Sequence, residues 1–98
     1  MAWRSDSESN EELAEKLEAN DLISSPHIIA AFRAVDRGFF VPAACRDAIY
    51  LDRPFRQELP GQEGALHMSA PHMYAMMLEA LDISPDSGAQ VLNIGSGT

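Results

Sequence analysis

The sequence contains little cysteine, few basic side chains and no long apolar run. Cys45 is the single cysteine among 98 residues, which excludes an internal disulfide and fits a reducing compartment. The 7 basic side chains are outnumbered by 15 acidic ones and form no cluster, so we predict that the chain binds no nucleic acid. No apolar stretch is long enough for a signal peptide or a membrane span, and we therefore expect no membrane partner and a cytoplasmic location.

Two short helices are predicted in the N-terminal part of the chain. Residues 1–10, in which Ser alternates with Asp and Glu over 5–9, are expected to form an acidic flexible tail. Strong helix formers with leucines one turn apart then predict a helix over 11–20. Ser25 and Pro26 supply an N-cap and a first-turn proline for a second helix, which ends near Asp36.

The third helix has the clearest pattern. Residues 39–64 come before it, and their scattered prolines and glycines indicate short extended pieces and turns. Ser69 is then a candidate N-cap, and Pro71 is a first-turn proline. After Pro71, apolar residues recur at helical spacing and predict a buried, core-forming face. The residues of this face are Met73, Met76, Met77, Ala80 and Leu81.

The last residues predict a buried strand over 90–94 that leads into a glycine turn, Gly95-Ser96-Gly97. A strand followed by Gly-x-Gly typically opens a nucleotide-binding βα unit, although glycines also mark ordinary turns. Such a strand belongs in a parallel sheet and needs further strands to pair with. We therefore predict an α/β fold, mostly helical in the segment present. Residues 11–98 would form the N-terminal portion of a domain truncated after its first sheet strand.

Two segments together resemble the protein-L-isoaspartate O-methyltransferase family. They are Ser69-Ala70-Pro71-His72-Met73, at the start of the third helix, and the strand with its glycine turn over 91–98. The resemblance implies a Rossmann-like domain that uses S-adenosyl-L-methionine as cofactor and methylates the carboxyl of isoaspartyl residues, as a repair of damaged proteins. It also implies isoaspartyl-containing proteins or peptides as partners and a monomer when complete. We expect the fragment alone to be inactive.

The same resemblance implies roles for individual residues. Ser69 would be the catalytic residue, donating a hydrogen bond to the substrate carboxylate, although its pattern alone also fits a simple helix cap worth about 1 kcal/mol. We expect no metal site, because His27, His67 and His72 lack a zinc-type spacing. The cofactor site would be lined by Leu66, His67, Met68, Ser69, Tyr74, Gly95, Ser96 and Gly97.

Two positions depart from the pattern of the enzymes. His67 stands where they typically have threonine, and Asn93 stands where they carry Asp or Glu. Both departures resemble a sister group, the isoaspartate-methyltransferase-domain-containing proteins. This leaves open a second interpretation, a non-catalytic adaptor of a ubiquitin ligase that binds isoaspartate and S-adenosylmethionine. A dinucleotide-binding dehydrogenase has a similar glycine turn, but the long helical stretch before the turn disfavours it.

Overall fold

The structure is a computed structural model that describes residues 2–58, 61 and 63–97. Met1 of the predicted tail and Thr98 of the glycine turn lie outside these residues. Within the described ranges, no helix is both long enough and apolar enough to cross a bilayer. In chain order the elements are a 3-10 helix (Ala2–Ser5), α1 (Asn10–Ala19), α2 (Pro26–Ala34), two further 3-10 helices (Arg37–Phe40 and Ala43–Ala48), β1 (Phe55–Glu58), β2 (Ala65–Met68) and α3 (Pro71–Leu81).

The first helix begins one residue earlier than its pattern predicts. The Ser9 hydroxyl oxygen accepts a hydrogen bond from the backbone N–H of Glu12 at 3.1 Å. In return, the Glu12 carboxylate accepts one from the backbone N–H of Glu8 at 2.9 Å. The first bond satisfies an N–H group that the helix cannot pair internally, and the second fixes the chain that enters it. The prediction of a helix over 11–20 is thus confirmed, with Ser9 setting its start.

The hydrophobic core lies where α1 packs against α2 and α2 packs against α3. Leu13 and Leu17 of α1 are 2% and 0% exposed, as their spacing of one helical turn predicts. They form one cluster with Ile23, which precedes α2, with Ile28 of α2 and with Ala75 of α3. The cluster fixes the three helices relative to each other and so defines the walls of the cavity described below.

A glutamate of α3 closes the start of α2. Glu79 Oε1 accepts hydrogen bonds from the backbone N–H groups of Ser24 and Ser25 at 2.7 and 2.9 Å, and the Ser25 hydroxyl donates to Oε2 at 2.6 Å. The Ser25 hydroxyl makes no cap bond of its own. Glu79 therefore takes the capping role that the sequence assigns to Ser25. The hydrogen bonds from the Ser25 side chain and from the two amides lower the pKa of Glu79 below its ordinary value.

The two strands form an antiparallel hairpin. Strand β1 lies within residues 39–64, for which the sequence predicts only short extended pieces and turns, and β2 directly follows that range. Phe55 pairs with Met68 in its register. Along β2, Leu66 is buried, His67 is exposed and Met68 is partly buried, because successive side chains of a strand point to opposite faces. This alternation decides which of the predicted site residues face the interior.

The apolar face predicted for α3 is not buried, which corrects the prediction of a methionine core. Met73, Met76 and Met77 are 44%, 52% and 48% exposed. The side of α3 that contacts the core instead carries Ala75, which is fully buried. The reason is that α2 and the core cluster pack against the side of α3 that carries Ala75.

The strand predicted over 90–94 is absent from the described residues. Val91, Leu92 and Ile94 are 68%, 83% and 85% exposed, and the backbone around them has no regular pairing. A strand needs a neighbouring strand for its hydrogen bonds, and in the described sheet β1 and β2 pair with each other. The described part of the chain is therefore helix-rich with a two-stranded antiparallel sheet, and the parallel sheet of the α/β prediction is not seen in it.

The segment predicted as an acidic flexible tail is anchored to the rest of the fold. Ser5 and Ser7 are only 0% and 8% exposed. Asp6 accepts a hydrogen bond from the backbone N–H of Asp52 at 2.7 Å and another from Arg53 Nε at 3.2 Å. Composition indicates a solvated tail, but these partners are distant in sequence and could not be foreseen from composition.

Candidate functional site

An open cavity of about 460 Å³ lies where the α-helices meet the end of the described chain. An apolar lining with a few polar groups, at this volume, is typical of a small-molecule site. Its apolar walls are Leu13, Ala31, Phe32, Val35, Phe40, Met68, Pro71 and Leu78. Its polar groups come from Asn10, Arg37, Tyr74, Asn93 and Ser96.

Both segments that the sequence assigns to one cofactor site reach this cavity. Met68 at the end of β2 and Tyr74 on α3 line it, and Ser96 of the glycine turn lines it from the end of the chain. The backbone N–H of Ser69 donates a hydrogen bond to Tyr74 Oη at 3.2 Å. This bond holds the Tyr74 ring against the segment that joins β2 to α3.

The glycine turn lies directly against β2. A β-carbon added at Gly97 would come within 3.2 Å of Leu66 Cδ1. Gly95 and Gly97 have φ angles of +72° and +82°, which other residues rarely adopt. The turn therefore needs glycine both for its backbone conformation and, at Gly97, for close approach to a neighbouring element.

The two residues that depart from the enzyme pattern lie in different places. His67 is exposed and pairs with Arg56 across the hairpin, on the face of β2 opposite to Leu66 and Met68. It is not part of the cavity wall. Asn93, in contrast, lines the cavity. Of the two departures, the one at Asn93 therefore changes the polar groups of the cavity.

Ser69 is not the N-cap of α3, which corrects the capping interpretation. The cap position is Ala70, which makes no side-chain hydrogen bond. Ser69 precedes the cap, is partly buried and lies beside the residues of the cavity wall. Within the described residues its hydroxyl makes no hydrogen bond, so the group is available to a ligand.

The group that does close the start of α3 is Asp52, which the sequence analysis missed. Its Oδ1 accepts a hydrogen bond from the backbone N–H of His72 at 2.8 Å and lies 2.9 Å from His72 Nδ1. Asp52 is fully buried and stands 20 positions before His72, so no local pattern indicates its role. The described part of the chain holds no group of three His, Cys, Asp or Glu side chains that could bind a metal.

Arg37, also missed by the sequence analysis, is the basic residue of the cavity wall. Its Nε and Nη2 atoms are shielded from solvent and have no hydrogen-bond partner among the residues that the structure describes. Burial lowers the pKa of Arg37 from its ordinary value, and attraction to Tyr74 and Asp52 opposes this shift. An arginine stays protonated even so, and the cavity therefore contains a positive charge with unused donors.

Comparison of the sequence with known proteins identifies the family of the chain. Residues 8–98 match the model of the protein-L-isoaspartate(D-aspartate) O-methyltransferase family. The whole chain is 39% identical to a protein-L-isoaspartate O-methyltransferase of Caenorhabditis elegans and covers 40% of that protein. Over 89 residues, or 91% of the chain, it is 36% identical to protein-L-isoaspartate O-methyltransferase 1 of Arabidopsis thaliana, of which it covers 36%. The chain thus spans less than half the length of these relatives, and it belongs to the protein-L-isoaspartate(D-aspartate) O-methyltransferase family.

Proposed function

We propose that the protein containing this chain methylates the carboxyl group of isoaspartyl residues in damaged proteins, with S-adenosylmethionine as the methyl donor. The chain would contribute the N-terminal part of a Rossmann-like catalytic domain. The observation that carries the proposal is the meeting of two segments at one cavity. The end of β2 with Ser69 and the glycine turn are distant in sequence, yet Gly97 lies against Leu66 and Ser96 lines the same wall as Met68.

The residues of the cavity fit the proposed cofactor. At Gly95 of the glycine turn, no described atom lies within 4 Å of the point where a β-carbon would stand, and a glycine backbone of this kind accepts the close approach of a ligand. Asn93 and Ser96 add hydrogen-bonding groups to a largely apolar wall. Asn93 can hydrogen-bond to the polar end of the cofactor but offers no negative charge to its cationic groups.

The main requirement of this reaction is that the protein places the reacting groups correctly. S-adenosylmethionine, when bound, supplies a methyl group on a sulfonium sulfur. The substrate carboxylate is already ionised at neutral pH, so no general base is needed. Ser69 would donate its free hydroxyl to that carboxylate and hold one oxygen toward the methyl carbon. Orientation of this kind contributes up to roughly 7–11 kcal/mol in well-aligned intramolecular reactions.

The test is a methylation assay of the protein at its full natural length. Labelled S-adenosylmethionine and an isoaspartyl peptide should give a base-labile methyl ester. Ser69→Ala should lower its rate about 10- to 100-fold, because one hydrogen bond to a charged group is worth roughly 1.5–3 kcal/mol. Ser84→Ala, the same change at an exposed serine, should leave the rate unchanged. Absence of the ester from the unmodified protein would overturn the proposal.

A second candidate, the adaptor function, is favoured by Asn93 in the cavity wall. An adaptor would bind S-adenosylmethionine and the isoaspartyl peptide without forming the ester. Calorimetry of both ligands, run beside the methylation assay, separates the two functions. Binding with no ester supports the adaptor, whereas an ester that depends on Ser69 supports the enzyme.

A further inference from the structure

Arg37 has donors that nothing else in the described structure uses. Nε and Nη2 lie on the same edge of the guanidinium, the edge that forms paired, parallel hydrogen bonds to a carboxylate. Both atoms lack a partner. Leaving charged donors out of water and unpaired is costly, so such groups normally meet an acceptor.

The surrounding residues do not supply that acceptor. The chain carries 15 acidic side chains, but the cavity wall contains neither Asp nor Glu. Asp52 is the acidic residue that attracts Arg37 through space, yet its Oδ1 holds His72. Its Oδ2 also has no partner, which confirms that the two side chains are not directly bonded.

We infer that Arg37 binds the carboxylate of a ligand in the cavity through its Nε and Nη2 edge. The side chain is only partly buried and lines the cavity, so rotation about its outer torsions turns this edge toward a ligand. In its described position this edge is out of water and unpaired, so a carboxylate that meets the turned side chain gives it the acceptor it lacks. The apolar wall around it strengthens the attraction.

Two ligands of the proposed function carry a suitable carboxylate, and the choice of probes below rests on that function. One is the α-carboxylate of the isoaspartyl substrate, and the other is the carboxylate of the methionyl part of S-adenosylmethionine. The recognition chemistry is the same for both. The two are told apart by removing the carboxylate from one ligand at a time.

The experiment is calorimetric binding to the full natural length protein, and no methyl transfer is required. The first pair of probes is an isoaspartyl peptide and the same peptide with its α-carboxyl converted to the amide. The second pair is S-adenosylmethionine and its decarboxylated form. For the ligand whose carboxylate Arg37 binds, removal of the carboxylate should weaken binding about 10- to 100-fold.

Variants then assign the effect to Arg37. Arg37→Gln should weaken the carboxylate form of that ligand by a similar factor and leave the carboxylate-free form unchanged. The affinity of Arg37→Lys for the carboxylate form should lie between those of the unmodified protein and Arg37→Gln. Lysine keeps the positive charge but cannot form the paired hydrogen bonds of a guanidinium. Arg33→Gln, the same change at a surface arginine paired with Glu11 and Glu18, should have no effect on either ligand.

Three outcomes would overturn the inference. The first is that the unmodified protein binds both members of each pair with equal affinity. This outcome is measured without any variant, so it does not depend on whether a variant folds. Equal weakening of both members by Arg37→Gln is another, because a purely structural role predicts it. An unchanged carboxylate preference in Arg37→Lys and Arg37→Gln is the third. If no ester forms in the methylation assay but the preference depends on Arg37, the proposed function fails and the inference stands.

Discussion

Replacing Asp52 by alanine should destabilise the protein by about 2–3 kcal/mol. Oδ1 forms two bonds at the start of α3, one to the backbone N–H of His72 and one to its ring nitrogen. Bonds to a charged acceptor are worth roughly 1.5–3 kcal/mol each, a gross loss of about 3–6 kcal/mol. The unpartnered Oδ2 is buried, and removing it returns about 1–3 kcal/mol. The midpoints of the two ranges, about 4.5 and about 2 kcal/mol, differ by about 2.5 kcal/mol, which is the expected net loss.

The assay is urea unfolding followed by circular dichroism at neutral pH, with the midpoint and slope compared between variants. Asp52→Asn keeps an oxygen that can accept both bonds, so it should cost less than half of the alanine change. Asp47→Ala, at an exposed aspartate of the 3-10 helix Ala43–Ala48, should stay within about 0.5 kcal/mol of the unmodified protein. If Asp52→Ala and Asp47→Ala unfold at the same urea concentration, the capping role assigned to Asp52 is wrong.

Three more predictions concern the core, the pH dependence and the cavity. Leu17→Ala should cost about 2–5 kcal/mol in urea unfolding, because Leu17 is 0% exposed; a loss below 1 kcal/mol would contradict its place in the core. Burial alone would raise the pKa of Asp6, but hydrogen bonds from Arg53 and from the Asp52 amide hold it below the ordinary 3.8. The stabilisation that Asp6 contributes is thus complete above pH 3.8 and is lost as the pH falls through its pKa in the folded protein. Asp6→Asn should therefore reduce the loss of unfolding free energy at acidic pH, and an unchanged loss would refute this. Asn93→Asp should tighten S-adenosylmethionine binding about tenfold in calorimetry, since a carboxylate binds a cation more strongly than an amide does; unchanged affinity would place the cofactor's cationic groups elsewhere.

Local sequence signals predicted the helices, and distant contacts account for what they missed. Leu13 and Leu17 lie one turn apart, so their burial follows from helix geometry alone. The caps of α2 and α3 could not be predicted in this way. Ser25 and Ser69 have the right residue types, but carboxylates brought by the tertiary fold occupy both helix starts.

The candidate site could likewise be predicted only in part from the sequence. The resemblance of the two motifs predicted that the end of β2 and the glycine turn belong to one site, and a β-carbon at Gly97 would come within 3.2 Å of Leu66 Cδ1. The face of β2 on which His67 lies could be predicted only with the strand register, because a shift of one residue would exchange the two faces. The role of Arg37 needed the cavity itself. The strand over 90–94 depends on pairing partners that no local pattern supplies.

The bond between Glu79 and the start of α2 sets an order of events during synthesis on the ribosome. Glu79 stands 54 positions after Ser25, so the amides at the start of α2 remain without this acceptor until α3 has emerged and docked. A helix as short as α2, which spans 9 residues, is marginal in isolation. Helix α2 therefore reaches its final form late, and a ribosome stalled before Glu79 would hold a nascent chain whose α2 frays at its start.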